Sequence, residues 1–400
     1  MLNHALTYLW LTVQVLIGYH LVFPLILYAL YKIKNKKKNN YTDRSENEAD
    51  YAIIITAYEQ TESLFAAVAS LLKLNYKNYL VYVVADKCDI TQLHFADKRV
   101  IILRPPETLG SNTRSHFYAI NRFKRNHERL TIIDSDNLVD ANYLNALNNH
   151  FDNGFQAVQG IRKAKNLDTV FACLDAARDI YYHFYDGKLL SGLGSSATLS
   201  GSGMAFSTSL YKECLALSDI TGAGFDKVLQ AAIVQRGLRI AFAEEAIVYD
   251  EKTSHSNQLV QQRARWINTW FRYVGFGFAI FVKGIQKFNF NQFLFGLILL
   301  RPPLFIFLIS SFFCLIINVW ISKLSALCWL ISFAIFMIGF IMALVYSKTE
   351  KRIYYSLVSI PKFMLLQVLS LLMARKANVY SVATTHIHNK TIEELKKGAA

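Results

Sequence analysis

Leu130-Thr131-Ile132-Ile133-Asp134-Ser135-Asp136-Asn137 is the stretch on which the reading of this chain turns. Its first four residues form a short aliphatic and β-branched run, the pattern of a strand buried on both faces, and acids stand immediately beyond it. In an open α/β sheet ligands gather beyond the carboxyl ends of the strands, so Asp134 and Asp136 fall where a site is expected. Carboxylates at alternate positions suit a hard divalent cation such as Mg²⁺ or Mn²⁺, which takes oxygen ligands and keeps positions open for phosphate. Asp is equally at home in turns, so the triplet alone is a weak signal.

Outward from this strand, Tyr51–Ile55, Leu80–Val84, Val100–Leu103 and Ala157–Gln159 read as further strands, and Glu62–Leu74 and Asn112–Asn126 as helices. Strands alternating with helical patterns define an α/β domain with a mostly parallel sheet, placed at residues 48–266. Asp86 ends the run Tyr82-Val83-Val84-Ala85, where a carboxylate can accept an N–H from a nucleobase or close a turn. Asp226, in Thr221-Gly222-Ala223-Gly224-Phe225-Asp226, opens a helical pattern, as a cap or as a general base.

Gln262-Arg263-Ala264-Arg265-Trp266 is the most specific motif. Gln262, Arg265 and Trp266 stand at i, i+3 and i+4 and share one helix face. A guanidinium fork matches diphosphate oxygens, and an indole face matches the apolar side of a sugar ring. The same residues suit an amphipathic helix at a membrane surface.

The 400 residues are 53% hydrophobic with a net charge of +14, and the apolar residues concentrate at the two ends. Ala5–Tyr31 is long enough to cross a bilayer core of about 30 Å, and Lys32, Lys34, Lys36, Lys37 and Lys38 follow it. Positive charge after the apolar run marks an uncleaved anchor with its N-terminus outside, at residues 1–34. Residues 267–292, rich in aromatics, are expected to lie in the membrane surface. Leu304–Ile321 and Leu324–Tyr346 read as a transmembrane hairpin within residues 293–346, flanked by Arg301, Lys348, Lys351 and Arg352. Residues 347–400 form a basic C-terminal region, in which Ile353–Met373 carries Pro361 and Lys362 and is expected to be interfacial or re-entrant. The chain is thus expected to be a multi-pass protein of the cell inner or plasma membrane with its α/β domain in the cytoplasm. Basic residues beside apolar segments point to lipid rather than nucleic acid. Five dispersed cysteines without a C-x-x-C pair point to reduced thiols and no zinc site.

In this order the pieces resemble the family 2 glycosyltransferases, in the membrane-bound branch of cellulose and hyaluronan synthases, over roughly Tyr51 to Trp270. The resemblance implies a GT-A type nucleotide-diphospho-sugar transferase domain. It makes Ile53-Ile54-Ile55 with Thr56, Tyr58 and Glu59 the opening nucleotide-binding strand, and Asp86 the uracil-contacting acid. Asp134 and Asp136 match the DxD motif for nucleotide diphosphate and metal, Asp226 falls at the catalytic base, and Gln262, Arg265 and Trp266 match QxxRW. Leu199-Ser200-Gly201-Ser202-Gly203-Met204-Ala205-Phe206 resembles the acceptor-side loop, with Gly201 and Gly203 allowing close approach of a sugar.

Four positions depart from the family pattern: Glu59-Gln60 stands for Asn-Glu, Phe225 for an acid, and Ser111 for a Lys whose charge Arg114 is expected to replace. The activity implied is transfer of a sugar, from a UDP-sugar in the first instance, with inversion to a β-glycoside and with Mg²⁺ or Mn²⁺ as cofactor. The acceptor is a growing polysaccharide or a lipid-linked saccharide. A single addition to a polyprenyl-linked sugar, and an inactive membrane scaffold or small transporter, stand as alternatives. An accessory subunit or a homo-oligomer is left open.

Overall fold

The computed structural model describes residues 2–34, 48–377, 388 and 390–398; Lys36, Lys37 and Lys38 of the basic flank lie outside them. Eight strands, β1 (Tyr51–Tyr58), β2 (Tyr79–Asp86), β3 (Val100–Leu103), β4 (Arg129–Asp134), β5 (Leu138–Val139), β6 (Ala157–Ala164), β7 (Met204–Ser207) and β8 (Ala241–Asp250), form one sheet. Their order is β3-β2-β1-β4-β7-β6-β8-β5. The first four run parallel, which sets Tyr58 opposite Asp86 and Thr56 opposite Asp134 at one edge of the sheet. β7 runs antiparallel to both β4 and β6, so the loop before it arrives at that same edge.

The uninterrupted apolar character of β1 follows from cover on both faces. Ile53 and Ile55 face a core with Val81, Val83 and Ile133, closed by Leu64, Val68 and Leu71 of the Leu64–Leu72 helix. Ile54 faces the opposite core with Val84, Ile132 and Phe206. The expected strands are all present, and β5, β7 and β8 join them. The Gly-rich stretch divides: Leu199–Gly203 is loop, and Met204–Phe206 is strand.

The second expected helix stops at Ile120, because the chain beyond it is captured by β2. Lys124 N–H donates to Tyr82 Oη at 2.8 Å, and Phe123 packs on the Tyr82 ring.

Among the described residues four helices, Ala5–Lys34, Leu304–Ile321, Lys323–Tyr346 and Lys351–Lys376, are long and apolar enough to cross a membrane. The first three pack together around Leu21, Phe307, Cys314, Trp329, Phe336 and Phe340. Gln14 Oε1 accepts from Asn318 Nδ2 at 2.6 Å and from Trp329 Nε1 at 2.9 Å, which ties the three helices together through buried polar side chains. Lys351–Lys376 contains the segment expected to be interfacial; by length and composition it is a span candidate, with a 3₁₀ turn at Leu357–Ser359 just before Pro361.

The expected domain boundary between residues 266 and 267 falls inside one 31-residue helix, Ser256–Gln286. Its first half buries Leu259, Arg263, Ala264 and Ile267, and its second half turns Phe271, Phe278 and Ile285 outward. A turn then leads to the short Phe290–Leu299 helix, which folds back on it and precedes the span candidates Leu304–Ile321 and Lys323–Tyr346.

Candidate active site

A cavity of about 620 Å³ lies between the strand-end edge of the sheet and the Ser256–Gln286 helix. Thr56, Tyr58, Asp134, Asp136, Gly201, Asp226, Gln262, Arg265 and Trp266 all line it, although they come from five separate parts of the chain. Glu59, Asp86 and Gly203 do not. Glu59, at φ 62°, turns away to Lys87 Nζ at 2.6 Å. The Asp86 carboxylate is 2% exposed and accepts from Leu109 N–H at 2.9 Å and Gly110 N–H at 2.8 Å, so here it anchors the loop after β3. Gly203 links β4 to β6, donating to Ile132 O at 2.9 Å and accepting from Gly160 N–H at 2.8 Å. The missing Lys charge is not replaced by Arg114, whose Nε donates to Asp219 Oδ1 at 2.8 Å outside the cavity.

The acidic turn after β4 is held by the Gly-rich loop. Asp134 N–H donates to Ser202 Oγ at 3.0 Å, and Ser202 Oγ donates to Asn137 Oδ1 at 2.5 Å. Asp136 is 7% exposed; its Oδ2 accepts from Glu251 N–H at 3.4 Å and its carbonyl from Lys165 Nζ at 3.1 Å. Among the described residues no group of three or more His, Cys, Asp or Glu side chains converges on a metal position. Two carboxylates at a cavity edge are nevertheless hard oxygen donors of the kind that suit a divalent cation whose remaining ligands come from phosphate and water.

Asp226 sits in the first turn of the Phe225–Gln235 helix. That helix is capped by Gly224 with no side-chain hydrogen bond, so Asp226 does not serve as the cap. Its carboxylate meets Lys227 Nζ at 2.9 Å, and Lys227 also donates to Leu199 O at 2.9 Å. Gly224 has φ +114°, and a Cβ there would stand 2.5 Å from Tyr273 Cε2 and 2.8 Å from Thr269 Cγ2. Only a glycine lets the turn carrying Asp226 approach the helix carrying Arg265 so closely.

On that helix Gln262 Oε1 accepts from Thr253 Oγ1 at 3.2 Å, and burial pushes the Arg265 pKa down. The Trp266 ring carries the Arg178 guanidinium 4.4 Å from its centroid and that of Arg263 at 4.0 Å. Part of the π surface expected for a sugar is therefore engaged by two cations of the protein itself.

Those arginines belong to a buried ionic network that was not anticipated from the sequence. Arg263 pairs with Asp175, Arg178 with Asp179 at 2.6 Å, and Lys252 with Asp179 at 2.5 Å and Asp250 at 2.8 Å. Arg162 reaches Asp179 at 3.3 Å and Asp250 at 3.5 Å. Burial opposes ionisation of Asp179, yet Lys252, Arg178 and Arg162 hold its carboxyl well below the usual range. At Asp250 burial, helped by the Asp179 charge, outweighs Lys252 and Arg162 and the pKa rises. Burial, reinforced by the Arg178 charge, lowers Arg263 to about 10. Asp175, Arg178, Asp179, Tyr182, His183 and Asp186 line the cavity from one continuous helical stretch. The available signal was charge at positions i, i+3, i+4 and i+11 in an otherwise apolar helix, a stripe that must be buried or bind something.

This fold, with acids at parallel strand ends beneath an Arg- and Trp-bearing helix, is that of a GT-A glycosyltransferase. The model of the glycosyltransferase-like family 2 matches residues 49–269, more than half of the chain, and the protein belongs to that family. Among solved structures, the mannosyltransferase PcManGT from Pyrobaculum calidifontis in complex with GDP-Man and Mn²⁺ shares the fold, with TM-score 0.60 and 14% identity over 91% of this chain and 98% of that one. S. aureus TarS 1-349 in complex with UDP-GlcNAc aligns at TM-score 0.37 and 16% identity, over 52% of this chain and 59% of that one. No curated protein matches the chain by sequence.

Proposed function

We propose that the protein transfers a sugar from a nucleotide sugar, in the first instance a UDP-sugar, to a hydroxyl of a growing polysaccharide or a lipid-linked saccharide, at the cytoplasmic face of the cell inner or plasma membrane. The observation that carries this reading is the shared cavity of Asp134, Asp136, Asp226, Gln262, Arg265 and Trp266. Asp134 and Asp136 would hold Mg²⁺ or Mn²⁺, which supplies positive charge against the departing nucleoside diphosphate. The Mn²⁺ and GDP-Man bound to the structurally similar mannosyltransferase are in keeping with that assignment. Arg265 faces the same diphosphate from the helix side. Asp226 takes the proton of the acceptor hydroxyl as its oxygen attacks the anomeric carbon, and one displacement inverts the configuration. Trp266 braces Arg178 and Arg263 and offers its remaining edge to the acceptor sugar.

The test is release of nucleoside diphosphate by purified protein with UDP-glucose, UDP-galactose, UDP-GlcNAc and GDP-mannose, each with Mg²⁺ and with Mn²⁺. Metal-dependent release from at least one donor supports the proposal. Release from none of them, with no metal-dependent nucleotide binding, would leave the scaffold reading in its place.

A further inference from the structure

The lining of the cavity also includes groups that this chemistry does not use. Among them are Phe276 and the stretch from Leu299 through Arg301, Pro302 and Pro303 to Leu304. Leu304 opens one span candidate, and Gln367, also in the lining, lies in another. The lining also contains Asp186, 3% exposed, on the seven-residue π-helical segment His183–Leu189. One of its oxygens is paired with Arg301, the residue just before the membrane hairpin; Oδ1 has no hydrogen-bond partner among the described residues. A buried carboxylate oxygen left unmatched costs free energy that a hydroxyl donor would recover. π-Helical turns are rare and gather at functional sites. This one is pinned against the hairpin by Arg301 and by Tyr185 Oη, which donates to Gly339 O at 2.8 Å, so Asp186 cannot relax away from the cavity.

A carboxylate oxygen accepts from hydroxyls and repels phosphate. The surrounding Phe276, Leu299 and Leu304 suit hydrocarbon, and the three-helix bundle beyond is filled by Phe307, Trp329 and Phe336 along its interior. We propose that the acceptor is a membrane-embedded amphiphile with a neutral, hydroxylated head group, one hydroxyl of which donates to Asp186 Oδ1 while the alkyl part leaves the cavity past Leu304 and Gln367. The proposal rests on the transferase reading and names its acceptor class. A different hydroxyl of the head reacts: its oxygen forms the new bond to the anomeric carbon, its proton passes to Asp226, and the bond to the nucleoside diphosphate breaks with the electron pair leaving on the diphosphate.

The experiment uses the full chain in lipid nanodiscs with Mn²⁺, the four radiolabelled donors named above, and paired methyl and n-octyl β-glycosides of glucose, galactose and mannose. For at least one sugar the octyl glycoside is expected to have a KM about tenfold or more below that of its methyl partner, and the product to extract into butanol with one sugar added. Asp186→Asn should raise the octyl-glycoside KM about tenfold, with the donor KM changed by less than about twofold. Because Asp186→Asn leaves Arg301 uncompensated, Asp186→Asn/Arg301→Gln is measured alongside and should show the same acceptor defect in a monodisperse protein. Equal KM for methyl and octyl glycosides, a water-soluble polymer, or an octyl KM unmoved in both variants overturns the proposal. Donor turnover with no glycoside accepted overturns it too, whereas absence of any donor turnover sinks the transferase reading beneath it.

Discussion

Among single residues, Asp226 and Asp136 are assigned different tasks, and substitution separates them. A general base contributes about 10²- to 10⁴-fold, so Asp226→Asn should reduce the rate of sugar transfer by that order while nucleotide binding survives; unaltered turnover removes Asp226 from the role. Asp136→Asn should instead raise the Mn²⁺ concentration needed for half-maximal nucleotide binding at least about tenfold, as read by titration with a fluorescent nucleotide. The placement of several site residues was legible in the chain. The acids after Ile133 and the i, i+3, i+4 face of Gln262, Arg265 and Trp266 line one cavity, because strand ends and helix faces follow from local pattern. Asp86, Glu59 and Gly203 show the limit of such reading. Each stands on the correct edge or loop, but burial and partner choice point it elsewhere, toward the Leu109-Gly110 turn, Lys87 and the β4–β6 junction respectively.

Between elements, the decisive contact is the approach of the Asp226 turn to the Ser256–Gln286 helix through Gly224. Gly224→Ala would force a Cβ into Tyr273 at a positive φ, and the cost should be about 1–3 kcal/mol with a matching fall in Tm. Because the displaced turn carries Asp226, kcat should fall more than the donor KM changes; a variant with wild-type kcat would show that the close approach is not needed for chemistry. The ionic network makes a second demand between elements. Asp175 is the carboxylate partner of Arg263, and Asp175→Ala leaves that buried guanidinium facing Arg178, at a cost of about 3–5 kcal/mol read by chemical or thermal denaturation. Sequence periodicity located the helices on either side of the cavity. It did not locate the stripe from Asp175 to Asp186, since a charged residue on an isolated helix is by default a solvated one, and only the sheet and the second helix together enclose it.

For the molecule as a whole, four buried histidines outside the span candidates, His116, His127, His150 and His183, each lowered by burial, set a pH dependence of stability. Burial lowers His116 to about 3, His150 to about 4 and His183 to about 3, each from 6.5. Below pH 6.5 the unfolded chain binds protons that the folded chain refuses, so stability is lost as pH falls from 6.5 toward those values. The slope is at most about 1.4 kcal/mol per pH unit for each histidine. In detergent, Tm should therefore drop between pH 7 and pH 5, and His150→Gln should flatten that drop; a Tm independent of pH over this range would show that these side chains are not buried neutral.

The sequence by itself determined the α/β domain, the strands of its parallel half, the apolar ends, and the residue types at the strand termini, because alternation, apolar run length and helical spacing act over a few neighbouring positions. Tertiary structure alone decided which of those side chains share a space. The order of the eight strands, the antiparallel insertion of β7 and the single helix running through Arg265 to Gln286 depend on burial between residues far apart in the chain. Local pattern carries no record of that burial, and so the partners of Trp266 and the open oxygen of Asp186 became visible only in three dimensions.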